Sequence, residues 1–429
     1  MKKNNDNIFT VNYSGNQYIF QLYMYHLSTM NMNNLTEKDV DFAVPITQDI
    51  FKEFKIISDI RYPILLGHLI LRDTGRQLIQ NVTNLDGYTL LYVNITTVEN
   101  KKPIVFSHTF IVSDFNVMDI ASGILKYELV SKDWFKFNNY IEYSNQKNES
   151  YTKILRDLIT QGNMNCELEG NEGSYKRNFM TPYNWSLLKS VSYLLDRCAD
   201  VENGMYILKN DVMFNRYKII NLNSKFNKLK DINIAANELD IRNFFEISNQ
   251  TGSTISAQQT LSLANIQSSG HFESHFEQSK PHVSYSFDYD YNQWNTTEYN
   301  YTNLNNILPL IKKDDKRNRL KEYPNFINKT DKKNVKNVFD ISYLLNKEMN
   351  SLFTETMFIS SKVYGYINRW AGDIISIFTN DQSRDMATNN YNGFWLAFKV
   401  VHKWGGTDTY ANDIFISKID RPVNHLRNN

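Results

Sequence analysis

The sequence predicts a mainly β protein of the α+β class, and three observations support that prediction. The closing stretch, Val363 to Ile419, consists of short runs rich in β-branched and aromatic residues between Gly, Asn and Asp turns. The N-terminal third repeats such runs at roughly 10–15-residue spacing, which is typical of an antiparallel barrel or sandwich. Helical spacing of apolar residues is confined to the middle of the chain and to one segment after residue 340.

The closing stretch predicts a compact set of strands. A turn at residues 369–373 precedes the apolar run Ile374–Phe378, and Gly393 opens a longer run that ends at Trp404. A second turn at Gly405 leads into the last run, residues 410–417. Nothing in this stretch indicates catalysis, so we interpret it as a β-barrel or small sheet that is surrounded by other copies of itself.

The N-terminal region predicts a first barrel over residues 1–135. A weak strand at residues 17–23 comes first, and the apolar run Ile64–Leu71 and the alternating run Tyr88–Val98 follow. The next strand has one apolar face at a period of two residues: Ile104, Phe106, His108, Phe110 and Val112. Leu125, Tyr127 and Leu129 continue the pattern.

Residues 136–248 predict an α+β middle domain. Tyr151–Gln161 has apolar residues at helical spacing, with Ser150 as N-cap and Gly162 as the stop. A second helix is predicted to begin at Thr181-Pro182, because Thr caps helices and Pro suits the first helical position. Its buried residues would be Trp185, Leu188, Val191, Leu195 and Cys198. Strands are expected at residues 205–208 and 217–222, and residues 204–248 could contribute strands to a second barrel.

Residues 249–340 predict an inserted polar arm or linker, with disorder as the alternative. Its last part, residues 311–336, is locally basic. Asp340 is predicted to cap a helix, and the second barrel then covers residues 341–429.

Composition limits the classes of function. The 429 residues allow two to four domains, and 41% hydrophobic with 22% charged residues is a globular composition. A net charge of +1 excludes strong whole-chain attraction to nucleic acid, so no sequence-specific binding is expected. Cys166 and Cys198 form no disulfide scaffold, and we interpret them as reduced structural thiols. No apolar run approaches the roughly 18 residues of a membrane span, and residues 1–7 lack a signal core, which predicts synthesis in the cytoplasm.

Few side-chain groupings suggest chemistry, and the common phosphate-binding, zinc-protease and hydrolase motifs are absent. One cluster has metal-like spacing, but a solvated loop is the favoured interpretation: His271, Glu273, His275, Glu277 and His282. Residues 285–291 alternate acids with aromatics and suit carbohydrate or Ca²⁺ weakly, so an exposed strand is favoured. The basic run is read as a solvated linker, with phosphate contact or an acidic partner surface as alternatives. We therefore predict no cofactor and no metal.

Two polar positions in the closing stretch are interpreted as structural. His402 alternates with apolar neighbours in its strand, which indicates a core or interface position. Asp373 follows Gly372 in a turn and has no second titratable group fixed near it, so it is not a candidate general base.

Three pieces of the sequence together resemble the central hub family of bacteriophage tail baseplates, which is related to the spike protein of type VI secretion. The first is the barrel exit, Leu125–Phe135. The second combines the Ile154-Leu155 helix, Asn178–Asn184, the Leu188–Cys198 helix and the strand Gly204–Leu208. The third is similar to the family's ending and has four parts: Trp370–Ile375, Gly393–Leu396, Val401–Trp404 and Tyr410–Ile416. Residues 249–340 match no part of the pattern.

The resemblance implies two tube-type antiparallel β-barrels in one chain, with three copies forming a homotrimeric ring of six barrel units. Such a ring joins a sixfold tail tube to a trimeric tail spike and contacts other baseplate proteins. It implies a structural, non-enzymatic component of the virion, located at the tail tip and acting in host-cell penetration. The expected partner-interface residues are Trp370, Trp395, Trp404 and Tyr410.

Two alternatives remain open at the level of sequence. The Tyr- and Asp-containing region 283–301 suggests a receptor-binding adhesin carried on the tail. A cell-wall hydrolase carried on the tail is a further alternative, and it requires a paired acidic constellation that the sequence does not fix.

Overall fold

The computed structural model describes residues 8–13, 16–27, 42–75, 88–99, 102–140, 145–173, 176–198, 205–222, 224, 244–247, 282–288, 293–299, 358–379, 393–405 and 409–418. The strands in these ranges are β1 Ile8–Tyr13, β2 Asn16–Leu27, β3 Phe42–Ile46, β4 Phe51–Asp59, β5 Tyr62–Arg72, β6 Tyr88–Glu99, β7 Lys102–Asp119, β8 Ile124–Ser131, β9 Asn145–Ser150, β10 Cys166–Glu169, β11 Lys176–Met180, β12 Tyr206–Asp211, β13 Arg216–Asn221, β14 Phe244–Ile247, β15 His282–Asp288, β16 Gln293–Tyr299, β17 Phe358–Tyr364, β18 Ile374–Thr379, β19 Gly393–Gly405 and β20 Thr409–Lys418. The helices are α1 Asp133–Asn138, α2 Tyr151–Gln161 and α3 Leu187–Leu195, with a 3₁₀ turn at Val212–Phe214. The protein is therefore mainly β with a helical minority, as the sequence predicts.

Most strands belong to one curled sheet. Its order is β1-β2-β6-β7-β8-β5-β4-β19-β18-β14, with β3 beside β2, β20 beside β19 and β17 beside β20. The pairings are antiparallel except for the short β14–β18 contact. The sheet curls because aromatic rings on β1 and β2 meet rings on β19 and β20 across the interior; Tyr18 and Tyr410, for example, lie 5.1 Å apart between ring centroids.

The N-terminal strands follow the predicted alternation. On β7, Phe106, His108 and Phe110 are buried, and on β8 Leu125 and Tyr127 face the same interior. Outward residues between them are more exposed. Burial of such side chains contributes roughly 25 cal/mol per Å² of apolar surface, so this alternation accounts for the formation of the strands.

The middle of the chain forms a second layer on the outside of this sheet. Strands β10, β13 and β12 make a three-stranded sheet that packs with α2 and α3. Strand β5 has apolar residues on both faces because it is shared between the layers: Leu65 and Leu69 point into the curled sheet, whereas Ile64 packs against the helices.

The two predicted helix starts have different outcomes. Ser150 caps α2, since its Oγ accepts a hydrogen bond from Lys153 N at 3.2 Å, and Gly162 ends the helix; both predictions are confirmed. The start at Thr181-Pro182 is wrong. Asn184 has φ 64°, which interrupts helical backbone, and α3 begins five residues after Pro182 with Ser186 as N-cap. Pro182 therefore begins a turn and not a helix, and in this turn Trp185 N donates to the Pro182 carbonyl.

The closing strands share the sheet of the N-terminal strands. Residues 399–405 of β19 pair with residues 53–59 of β4, so strands from the two end regions of the chain are adjacent. The predicted strands of the closing stretch are confirmed. The two-barrel layout, with boundaries at residues 135, 248 and 340, stays a prediction.

Several predictions concern residues outside the described ranges. They include the helix capped by Asp340, the basic run 312–336, and His271, Glu273, His275 and Glu277 of the metal-like cluster. Within the predicted arm, β15 and β16 form an antiparallel hairpin that is a separate two-stranded sheet. In the described part of the chain, no helix has the length and apolarity of a membrane span.

Candidate assembly site

The turn between β17 and β18 is fixed by Asp373. Its Oδ2 accepts a hydrogen bond from Trp370 N at 2.8 Å, and its Oδ1 pairs with Lys209 Nζ from β12. Gly372 has φ +89°, a backbone conformation that residues with a side chain rarely adopt. Its N–H donates to the Ala397 carbonyl at 2.7 Å. The carboxylate therefore ties the turn to the middle layer, and the backbone ties it to β19.

A buried polar network lies beside this turn. His402 Nε2 is 2.7 Å from the Arg369 carbonyl oxygen, and its Nδ1 is 2.9 Å from Tyr410 Oη and 3.0 Å from Asn412 Nδ2. Asn412 Oδ1 accepts from Arg369 Nη1 at 2.6 Å and from Tyr366 N at 2.7 Å. The partners come from three parts of the closing stretch, namely β19, β20 and the segment between β17 and β18, so the network holds these parts together.

The network defines the state of the imidazole. A carbonyl oxygen only accepts, so Nε2 carries the proton and Nδ1 accepts from Tyr410 and Asn412. Burial lowers the pKa of His402 to about 3, although its hydrogen bond to the Arg369 carbonyl acts in the opposite direction. The histidine is therefore neutral at physiological pH. It cannot act as a proton donor to a substrate there, because it is completely buried.

Aromatic rings stack around the same histidine. Trp404 lies between Tyr410 and Phe54 of the N-terminal sheet. Its ring centroid is 4.7 Å from that of Tyr410, with 5° between the ring planes, and 5.4 Å from that of Phe54, with 20° between the planes. The ring centroid of Trp370 is 4.3 Å from that of His402 and 5.6 Å from that of Phe106. Stacked pairs of this kind add about 0.5–1.5 kcal/mol each to the burial of their area. The stack thus joins the closing strands to β4 and β7.

The four residues predicted to contact partners all lie in the interior of this chain. Trp370, Trp404 and Tyr410 come together in the stack, whereas Trp395 is buried in the part of β19 that pairs with β18. Their interface role stays a prediction. In this chain the exposed fraction of each is between 0% and 3%.

Sequence reasoning missed Arg369 and Lys209, and it included Asn412 in a motif without giving it a role. Arg369 was placed only in a turn, yet it is buried and donates to Asn412. A charged residue beside a Trp in an otherwise apolar motif was the available signal for Arg369. Lys209 carried no signal, because its partner Asp373 is 164 positions away.

Gly365 provides a test of the stack. A Cβ at this position would lie 2.1 Å from Tyr410 Cδ1, and that ring is held by His402. We expect Gly365→Ala to lower the free energy of unfolding by about 1–3 kcal/mol through overpacking, measured by denaturant unfolding. Replacing Tyr410 with alanine removes the clashing ring, so Gly365→Ala should cost little in that background. Equal costs in the two backgrounds would show that the ring is not the cause.

Cys166 and the Glu53–His68 pair are structural in character. Burial raises the pKa of Cys166 to about 12, so its thiol is protonated at neutral pH and poorly reactive. Glu53 accepts a hydrogen bond from His68 at 3.0 Å, and burial lowers the pKa of His68, so the donor is a neutral imidazole at neutral pH. Across the described ranges, no three His, Cys, Asp or Glu side chains are grouped to hold a metal ion.

Comparison with known proteins gives similarity at the level of structure. No protein-family model matches the sequence, and no curated protein matches it. The chain is similar to the 43 kDa tail protein of prophage MuSo2 from Shewanella oneidensis, with 7% identity, a TM-score of 0.49, and coverage of 94% of this chain and 99% of that one. A tail protein from Neisseria meningitidis gives 7% identity and a TM-score of 0.44, with coverage of 93% of this chain and 96% of that one. The E. coli protein c3393 is described as a type VI secretion component similar to T4 tail proteins. Its sequence identity is 10% and its TM-score is 0.40, and the match covers 87% of this chain and 76% of that one.

Proposed function

We propose that this chain is a structural component of a phage-type tail, a hub protein whose three copies form a ring between the tail tube and the central spike. The observation that supports it most is the fate of the sequence motifs that resemble the hub family. Trp370, Asp373, His402, Trp404 and Asn412 come together in one buried network that binds the closing strands to the N-terminal sheet. These motif residues therefore have a structural task, since all five are buried within the chain.

The character of this network also fits a protein that bears load rather than one that turns over substrate. Its imidazole is neutral, buried and fully engaged, and its carboxylate is occupied by a lysine and a backbone amide. Catalytic groups need access to a reacting atom and a pKa suited to proton transfer. The solved structures similar to this chain are phage tail and type VI secretion proteins, the class that the sequence resemblance implies.

Assembly of the purified chain tests the proposal. We expect mass photometry to give the mass of a trimer, and we expect the trimer to co-sediment with the tail tube protein and with the spike protein of the same particle. A cryo-EM map of the tail tip should place one ring of three chains between tube and spike. A chain that stays strictly monomeric and binds neither protein would contradict the proposal.

A further inference from the structure

One outer face of the curled sheet carries no charge. It is formed by the outward residues of β1, β2 and β6 and of the first half of β7, and we call it the uncharged face. Its strand register aligns them in rows across the strands: Thr10, Ile19, Thr96 and Val105; Ile8, Gln21, Asn94 and Ser107; Tyr23, Tyr92 and Thr109; and Asn12 with Gln17 and Val98 with Pro103. Every one of these residues is neutral in a chain that is 22% charged.

Another part of the outer surface of the same sheet is different. There the register aligns Lys403, Lys55, His68 and Glu128 across β19, β4, β5 and β8, and we call it the charged face. Glu53 pairs with Lys55 at 2.9 Å, and Lys126 pairs with Glu128 at 2.5 Å. Such pairs are what a sheet that faces water normally carries. The lack of charge on the uncharged face is therefore specific to that face and does not reflect the whole sheet.

The uncharged face is also open and apolar in part. Ile8, Ile19, Val98 and Val105 are exposed, and Val98 is 60% exposed. Between them lie tyrosines and short neutral side chains, of which Tyr92 Oη bonds to Ser107 Oγ at 3.2 Å. Depletion of charge together with enrichment of aromatic residues such as tyrosine distinguishes the centre of protein interfaces from the rest of a protein surface. A flat sheet face of this composition associates with itself or other chains unless a partner covers it.

We propose that the uncharged face is the surface by which one copy of this chain packs against the next copy in the ring; this inference rests on the function proposed above. With no charge to match phosphates, the face does not suit nucleic acid or an anionic membrane. Four strands at about 4.8 Å spacing, with same-face residues about 6.8 Å apart, give roughly 500 Å² of flat area. The relief of the side chains increases that area toward the roughly 600–800 Å² that each partner buries in a specific interface.

Threefold symmetry determines the type of contact. In a closed ring the uncharged face of one copy meets a different surface of its neighbour, so the contact is heterologous. Such a contact needs no self-complementarity, and a neutral surface avoids unpaired buried charge against whatever it meets. A single positive charge placed on the face should therefore weaken the ring, whereas the same charge elsewhere should not.

Strand β7 supplies a matched pair of variants. Val105 lies on the uncharged face and is 46% exposed, whereas Val117 lies in the part of the same strand beyond its pairing with β6 and is 45% exposed. We expect the isolated chain to accept lysine at both positions, because each side chain reaches water. We expect Val105→Lys to weaken trimer formation about tenfold or more in mass photometry over a dilution series, while Val117→Lys associates like the wild type. Thr10→Lys, an exposed position in the same row on β1, should reproduce the effect of Val105→Lys.

The outcomes separate this inference from the proposed function. If the wild type forms trimers and both Val105→Lys and Thr10→Lys trimerise normally, the ring stands and the assignment of the face is wrong. Equal weakening by Val117→Lys would also overturn the assignment. If Val105→Lys lowers the thermal unfolding midpoint and leaves association unchanged, the face is covered by another part of its own chain, and the inference fails. A wild-type chain that is monomeric throughout overturns both.

Discussion

Trp404→Ala is expected to lower the free energy of unfolding by about 3–5 kcal/mol, the range for removing a large aromatic from a packed core. Trp404 is fully buried between Tyr410 and Phe54, and it also stacks on His402 at 5.5 Å. The substitution therefore removes the ring that joins the closing strands to β4. Denaturant unfolding followed by tryptophan fluorescence and circular dichroism measures the change.

Trp134→Ala is the matched control for that experiment. Trp134 lies on α1, is 38% exposed and contacts Phe135 at 5.2 Å. Its removal should cost clearly less than that of Trp404, because 38% of the residue is exposed and its loss leaves no closed cavity in the packed core. Similar costs for the two substitutions would mean that the stack around Trp404 does not hold the two ends of the chain together.

Acidification is expected to destabilise the protein well before its carboxylates titrate. Burial lowers the pKa of His402 to about 3 and that of His108 to about 4, against about 6.5 for an unfolded chain. The unfolded state then binds more protons than the folded state below pH 6.5. Each histidine thus contributes stability that is fully present above pH 6.5 and is lost as the pH falls toward the folded value.

The size of the acid effect follows from linkage. Each buried neutral histidine reduces the free energy of unfolding by about 1.4 kcal/mol per pH unit below 6.5, or about 2 kcal/mol each at pH 5. Urea unfolding at pH 7.5, 6.5, 5.5 and 5.0 measures the slope. His108→Gln combined with His402→Gln lowers stability at every pH but should flatten the slope in this range. A wild-type slope that matches that of the double variant would show that neither histidine is held neutral.

The environment of His108 explains why it belongs in this prediction. Its Nε2 lies 2.8 Å from Ser131 Oγ in the interior of the sheet. Nearby Asp133 raises its pKa and Lys132 lowers it, but desolvation is the larger effect. The period-two pattern of β7 had already indicated that this histidine faces the core, and the structure adds the reason for its neutrality.

Local features of the fold were predictable because they depend on neighbours in sequence. Alternation in β7 and β8 fixed which side chains face the core, and Ser150 fixed the start of α2. The failed start at Pro182 has a local cause too, but one that residue types do not reveal. Asn184 adopts a left-handed backbone, which Asn tolerates and does not require.

Position within the tertiary structure decided the rest of the candidate site. The resemblance to the hub family implied that Trp370, Trp404 and Tyr410 contact a partner, and the structure places them in the core of this chain. A period-two pattern tells which residues share a face of a strand, but not whether that face meets solvent, a partner or another strand of the same chain. That choice depends on which strands pair.

The sequence by itself determined the strands of this protein, the faces of those strands and the motifs of the closing stretch, because alternation and turn chemistry act over a few residues. Only the tertiary structure decided that β19 pairs with β4, that Lys209 meets Asp373, and that the neutral residues of β1, β2, β6 and β7 line up on one face. These contacts join distant parts of the chain. Their free energy depends on register and shape complementarity across the fold, which no local window of sequence contains.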